Sequence, residues 1–428
     1  MRWAAPATLV ALALAAPTAA ADPFDQFGLG GAAGGQAGAV TATAVGATAA
    51  HHQPGALALA RDPEVVIGWA AGWMGLTLDG RDAGVEAVHG TSLGLAIPVA
   101  VSDDVRLGAG LALYLPDQYL ARIRIAPITE PRFVLLDNDA RIVVEPVAAV
   151  AYQDKLGLGV GASLLADARS NAIDFDVGVV AGAKVGAARL DVDLPPRVAP
   201  LVGLWLRPHP RVRAGVTYRG QLSLDLALDI LANVQVAGVV TGDVLVALRA
   251  SDYFTPARLT GAIAVDVAAG LTVDTELTWS RWSAYPAPPA IDVLVALDIT
   301  PPLVSTTAPA PGFADTTTVR VGLAYQRRGG RLGVTTRAGA AFIPSPVPPQ
   351  VGLTSYADGD RLVLAAGVGL AIADGRPWLT KPIDVDLGVQ WHHLEDRLTT
   401  KHVDQFPGQA FSSGGDLLHA GVTATVRF

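Results

Sequence analysis

Arg211, Arg213 and Arg219 are spaced at even intervals that would put them on one face of an extended chain, because alternate residues of a strand point the same way. A guanidinium enclosed among apolar groups has two uses. It can pair with a carboxylate on a neighbouring strand, or it can receive the carboxylate or other polar head of an amphipathic ligand, which its fork of donors fits in bidentate geometry. Asp384 and Asp386, on one face of another extended stretch, supply partners for the first use. Arg219, farthest from the Pro208-His209-Pro210 turn, is the candidate for the second, while Arg211 and Arg213 stand beside that turn and suit anchoring or contact with water.

Other chemistry is largely excluded. His51-His52 and His392-His393 invite a metal, but adjacent side chains of a strand point to opposite faces and chelate one ion poorly. Asp137-Asn138-Asp139 offers too few oxygens for calcium without partners. Gly28-x-Gly30 neither follows a strand nor opens a βαβ unit, so nucleotide binding is refused. Ser223 and His419 are far apart with nothing to place them together, and no catalytic constellation emerges. There is no cysteine, hence no disulfide, thiolate metal site or thiol nucleophile. No metal and no cofactor is expected, and the chain does not read as an enzyme.

The elements that position these residues follow from hydropathy. Of 428 residues, 51% are hydrophobic and only 16% charged, with 46 Gly and 30 Pro. Beyond the first twenty or so residues, no uncharged apolar run is long enough to span a bilayer as a helix. The apolarity is instead spread with a period of two. Leu418, Ala420, Val422, Ala424, Val426 and Phe428 alternate with His419, Gly421, Thr423, Thr425 and Arg427. The stretches 211–226, 271–280 and 383–392 repeat the pattern, and a lipid-facing β-barrel produces it, since only every second residue meets lipid. Turning such a strand over would put Arg219 and Asp225 in hydrocarbon, where a midplane Arg costs about 2–4 kcal/mol, so the polar face points into the barrel.

Fourteen strands are expected, at about 64–78, 88–101, 104–115, 139–151, 155–167, 197–207, 210–228, 255–268, 270–284, 316–327, 330–343, 359–373, 382–396 and 413–428. Connections after even strands are short and those after odd strands long, as an even-numbered barrel with periplasmic termini requires. The apolar, β-branched loop at 231–248 reads as either a packed cap or a hydrophobic capture surface. Trp69, Trp73, Trp205, Trp279, Trp282 and Trp391 must supply most of the aromatic girdle. Strand one is apolar on both faces; Val66, Gly68, Ala70, Gly72 and Met74 share one of them and suit contact with a plug or an apolar ligand.

Residues 1–21 have the early Arg2, short apolar core and Ala19-x-Ala21 end of a secretory signal. Without Arg2, 30 basic residues face 39 acidic ones, which argues against nucleic-acid binding. Residues 22–63 are rich in Gly and Ala and precede the barrel at 64–428. Such a tract can fold compactly inside a lumen as a hatch, because small side chains let backbones approach closely. A disordered periplasmic tail is the other reading.

This ordering resembles the FadL/TodX-type family of outer-membrane transporters. Phe27-Gly28-Leu29-Gly30-Gly31 is similar to the start of that family's hatch, and Gln53-Pro54-Gly55-Ala56-Leu57 to its Asn-Pro-Ala-Gly-Leu turn, with Gln for Asn and Gly-Ala reversed. Gly215-Val216-Thr217-Tyr218-Arg219, Trp279-Ser280-Arg281-Trp282-Ser283 and the segment 344–369 resemble later family elements in the right order. The resemblance implies passive uptake of a hydrophobic small molecule: captured at outer loops, passed to a lumenal site and freed when the hatch shifts, in some members sideways beside a kinked strand. Pro98 marks either such a kink or merely a strand end. The expected partners are that ligand, outer-membrane lipid and, through the terminal aromatic Phe428, the barrel-assembly machinery. A general porin and a loop-borne adhesin are the competing readings.

Overall fold

The computed structural model describes residues 15–17, 27–117, 125–127, 130–133, 135–136, 142–165, 168–180, 183–194, 196–236, 240–286, 290–297, 303–307, 311–329, 332–350, 354–373, 381–401 and 410–428. The signal cleavage point and Asp137-Asn138-Asp139 lie outside them. Fourteen antiparallel strands form the barrel: β1 (Glu64–Leu78), β2 (Val88–Ala100), β3 (Val105–Pro116), β4 (Val143–Tyr152), β5 (Leu156–Leu165), β6 (Arg197–His209), β7 (Val212–Arg219), β8 (Arg258–Ala268), β9 (Leu271–Ser280), β10 (Thr316–Gly329), β11 (Leu332–Ile343), β12 (Arg361–Ile372), β13 (Ile383–Thr399) and β14 (Phe411–Arg427). Each strand pairs with the next, and β14 returns to β1 from Glu64↔Arg427 to Leu78↔Ser413, which closes the wall.

The alternation seen in the sequence is the wall's inside and outside. In β9, Asp274, Glu276, Thr278 and Ser280 are buried while Leu277 and Trp279 are exposed. In β13, Gln390 and His392 are buried between exposed Val389 and Trp391. Apolar residues thus coat the exterior, as hydrocarbon demands. β1, ambiguous in sequence, is settled: Val66, Gly68, Gly72 and Met74 face in, while Ile67, Trp69 and Trp73 face out. No helix among the described residues is long and apolar enough to cross a membrane.

Two expectations need correction. Trp205 and Trp282 do not join the exterior girdle. Trp205 points inward and donates from Nε1 to Ala42 O at 3.0 Å, and Trp282 is buried in a loop cluster. Strand seven does not run on to residue 228 but ends at Arg219, paired with Leu201. The next residue of β6 is Pro200, which has no N–H to continue the ladder, and a Cβ on Gly220 would stand 2.5 Å from the Pro200 ring.

Beyond that break the chain enters a second sheet. Its six antiparallel strands, in spatial order Ala168–Val180, Ala183–Leu194, Leu222–Val236, Val240–Thr255, Ala290–Leu297 and Leu303–Thr307, prolong the hairpins at the long-loop end. The segment expected as an apolar loop at 231–248 is therefore mostly strand. Its β-branched residues fit a pleated surface better than a loop.

Candidate functional site

Residues 27–61 lie against the inward faces of the strands. Two short helices, α1 (Gly31–Gly34) and α2 (Ala49–His52), and 3-10 turns at Gly46–Thr48 and Pro54–Leu59 compact the segment. Its hydrogen bonds reach strands around the barrel. Gly31 N donates to Thr423 Oγ1 at 3.3 Å, Ala47 N to Glu64 Oε2 at 3.0 Å and Thr41 N to Glu276 Oε2 at 3.3 Å. Thr43 Oγ1 donates to Asp274 Oδ2 at 2.7 Å, and Gln390 Nε2 donates to Phe27 O at 2.9 Å.

Close approach explains the glycines. A Cβ on Gly55 would meet Gly157 O at 2.6 Å and Gly203 O at 2.8 Å, so the Pro54-Gly55 turn rests directly on the backbone of β5 and β6. Gln53 braces the turn: its Oε1 accepts from Gly55 N at 3.2 Å and its Nε2 donates to Leu204 O at 3.2 Å. Gly28 and Gly30 adopt φ of 84° and 94°, the left-handed region that glycine enters without strain. On Gly31, a Cβ would stand 2.3 Å from Asp386 O.

Arg219 is committed to protein partners. Its Nη1 pairs with Glu145, a fully buried carboxylate of β4, and donates to Ser163 Oγ at 3.1 Å, while Nη2 donates to His51 O at 3.0 Å. Glu145 also takes Ser163 Oγ at 2.9 Å and faces His51 Nδ1 at 2.8 Å. Three strands and the N-terminal segment meet in this one network. Burial, then the neighbouring His51, drives His52 down to about 3, so its imidazole is neutral where it contacts Leu29 at 3.2 Å. His51 and His52 stand on α2 rather than on a strand, and each is occupied by its own partner.

Asp384 and Asp386 pair with Arg427 at 2.7 Å and Arg337 at 2.6 Å, not with the arginines of β7. Arg213 pairs with Asp266. Arg211 and Arg213 line a cavity of about 740 Å³ at the short-turn end, bounded by Leu29, Gln36 and Thr43 of the segment. Gly72 and Met74 do look inward. A Cβ on Gly72 would stand 3.1 Å from the Phe27 ring, and Met74 packs with Phe27 in an apolar cluster completed by Leu76, Val88, Phe133, Phe411 and Leu417. Phe27 also stacks on His419, with ring centroids 4.3 Å apart. A second cluster, containing Phe254, Trp282, Phe313 and Tyr356, is built largely from the long connections.

Pro98 stands just beyond the end of the β1–β2 ladder. The β2–β3 ladder passes it in unbroken register, and β1 pairs with β2 only as far as Ala96, so the missing N–H costs nothing there. In the β4–β5 ladder Glu145 and Pro146 have no partners in register, although both pair with β3. Sequence reasoning missed Glu145, Arg258 and Arg320, and placed Glu276 on the inward face without a role. Their signal was the polar side of the alternation, one charge among apolar or hydroxyl residues.

No family model matches the chain, and no curated protein matches it. Solved structures do. A Pseudomonas aeruginosa FadL homologue aligns over 97% of this chain and 100% of its own, at 15% identity and a TM-score of 0.55. The P. putida toluene transporter TodX aligns over 94% and 99%, at 17% identity and a TM-score of 0.58. The CymD monoaromatic hydrocarbon channel aligns over 95% and 99%, at 17% identity and a TM-score of 0.56. The chain has the FadL-type fold. In this FadL-type barrel the N-terminal segment lies between aromatic and aliphatic clusters on one side and the cavity at the short-turn end on the other.

Proposed function

We infer that the protein is an outer-membrane passive transporter of hydrophobic small molecules, with residues 22–63 as its hatch and 64–428 as the barrel. The observation that carries this reading is the pairing of apolar clusters at the long-loop end with a segment that fills the lumen, its Pro54-Gly55 turn resting on Gly157 and Gly203 and its Leu29 and Leu57 buried with Tyr114, Leu201 and Trp205. The fold shared with fatty-acid-type and hydrocarbon channels supports the same reading. In it, Gly72 and Met74 border the ligand path beside Phe27, and Arg219 holds the hatch through His51 and Glu145. The exposed Phe428, whose N–H donates to Pro63 O at 3.1 Å, is the residue through which the assembly machinery would recognise the chain in this reading.

The test is conductance in planar bilayers. A lumen occupied by the segment should carry little ionic current, and deleting residues 27–60 should open a large steady conductance. High conductance from the intact chain would instead make it a general porin.

A further inference from the structure

Two long connections meet over the lumen. The β3–β4 connection contributes residues 130–133 and 135–136, and the β11–β12 connection residues 344–350 and 354–360. Eight strands separate them one way round the wall, β4 to β11, and six the other, β12 to β14 and β1 to β3, so they arise on nearly opposite sides of the mouth. Their contact therefore crosses it as a strap. Tyr356 and Ala357 pair in parallel with Arg132 and Phe133, and Arg132 N donates to Ser355 O at 3.1 Å. The Arg132 guanidinium lies over the Tyr356 ring, 5.8 Å from its centroid. A ladder of two residues is marginal by itself and gives way more readily than the long ladders of the wall. The two sides of the strap are held by different forces. On the β11–β12 side, Arg397 Nη1 of β13 donates to Val347 O at 2.6 Å, Lys401 Nζ to Ser355 Oγ at 2.5 Å, and Ser345 Oγ to Asp358 Oδ2 at 2.6 Å. Polar bonds thus fix that side to the wall. The β3–β4 side buries Phe133 and Leu136, each 1% exposed, in the apolar cluster of Phe27, Met74 and Phe411. The underside of the strap and the Phe27 ring of the N-terminal segment therefore share one apolar cluster.

We propose that residues 130–133 and 135–136 are the moving half of an outer gate, in series with the N-terminal segment, which parts from Tyr356 and Ala357 to admit apolar molecules. The β11–β12 side is the fixed half against which it closes. Opening brings Phe133, Leu136 and Phe27 into contact with water, which is unfavourable in proportion to the apolar surface each uncovers. An apolar solute entering beneath the strap covers the same surfaces and offsets that loss; a polar solute does not. The gate thus selects for apolarity before a solute reaches the segment. This goes beyond the transport reading above, in which the segment alone gates the lumen.

The experiment uses single thiol reporters in the full mature chain, which has no cysteine of its own, in detergent. Met74→Cys reports the space under the strap, and Ala50→Cys, buried in the core of the segment, reports release of the segment. Each is reacted with N-ethylmaleimide with the strap intact and with Arg132→Ala or Tyr356→Ala, two positions outside the Met74 cluster. Heat-modifiable mobility on gels checks that each barrel is folded. The strap variants should label Met74→Cys about tenfold faster, because reaction follows the population of the open form, and should leave the Ala50→Cys rate unchanged. Labelling of Met74→Cys that is as fast with the strap intact as in the unfolded chain, or that neither variant accelerates, overturns the gate. Equal acceleration of both reporters overturns it too, since the strap would then stabilise the lumen as a whole. The labelling requires no transport, so a chain that takes up no apolar compound removes the transport reading while these rates still decide the gate.

Discussion

At the scale of single residues, the network of Arg219, Glu145, Ser163 and His51 decides how firmly the N-terminal segment is held. Removing one member of a buried ion pair leaves a charge uncompensated, which costs about 3–5 kcal/mol, whereas replacing both partners by apolar groups is often nearly neutral. Glu145→Gln should therefore lower the urea midpoint of the folded barrel and expose residues 27–60 to protease, while Glu145→Leu with Arg219→Met recovers much of the loss. Equal stability of Glu145→Gln and wild type would show that the pair holds nothing. His52 adds a pH dependence. Its depressed pKa, about 3 against the ordinary 6.5, means the packed segment binds fewer protons than the released one. The stability it contributes is complete above about pH 6.5 and is lost progressively as pH falls towards 3. The protection factors of residues 46–59, corrected for the intrinsic exchange rate at each pH, should fall between pH 7 and 5, and His52→Gln should flatten that response.

At the scale of elements, the strands were legible because lipid enforces the alternation: an inverted register would expose carboxylates and guanidiniums to hydrocarbon. The end of β7 was not legible, because the same alternation continues past Gly220 into a different sheet and only the neighbouring Pro200 stops the ladder. The inward turn of Trp205 was hidden for a related reason. Its indole meets a backbone carbonyl of the N-terminal segment, whose course a tract of Gly and Ala does not encode periodically. The Pro54-Gly55 turn is where that course is fixed. Gly55→Val would drive side-chain atoms into the carbonyls of Gly157 and Gly203, and overpacking of this kind costs about 1–3 kcal/mol. Limited proteolysis should cut the variant within residues 27–60 under conditions that spare the wild type, while the barrel itself stays heat-modifiable. An uncut variant would mean that the turn does not seat the segment.

At the scale of the whole molecule, a closed wall, apolar outside and charged within, encloses a segment lying between apolar clusters and the cavity at the short-turn end. The barrel could be counted from sequence, while the lumenal charge partners could not, because pairing across strands depends on shear and not on spacing along the chain. Arg219 illustrates both halves: its inward direction followed from alternation, and its partner Glu145, 74 residues away, did not. Passive uptake gated by the segment is the central claim, and the cysteine-free chain allows a direct test. Thr43 and Asp274 touch across the segment and β9, so Thr43→Cys with Asp274→Cys offers a reversible tether. Uptake of a radiolabelled fatty acid and a monoaromatic hydrocarbon would be followed in cells producing the wild type or the oxidised and reduced double variant. Wild type should raise the uptake rate of at least one compound in proportion to its concentration gradient, with oxidation abolishing the gain and reduction restoring it. Uptake no faster than in cells without the protein, or a full gain with the tether oxidised, would contradict the account.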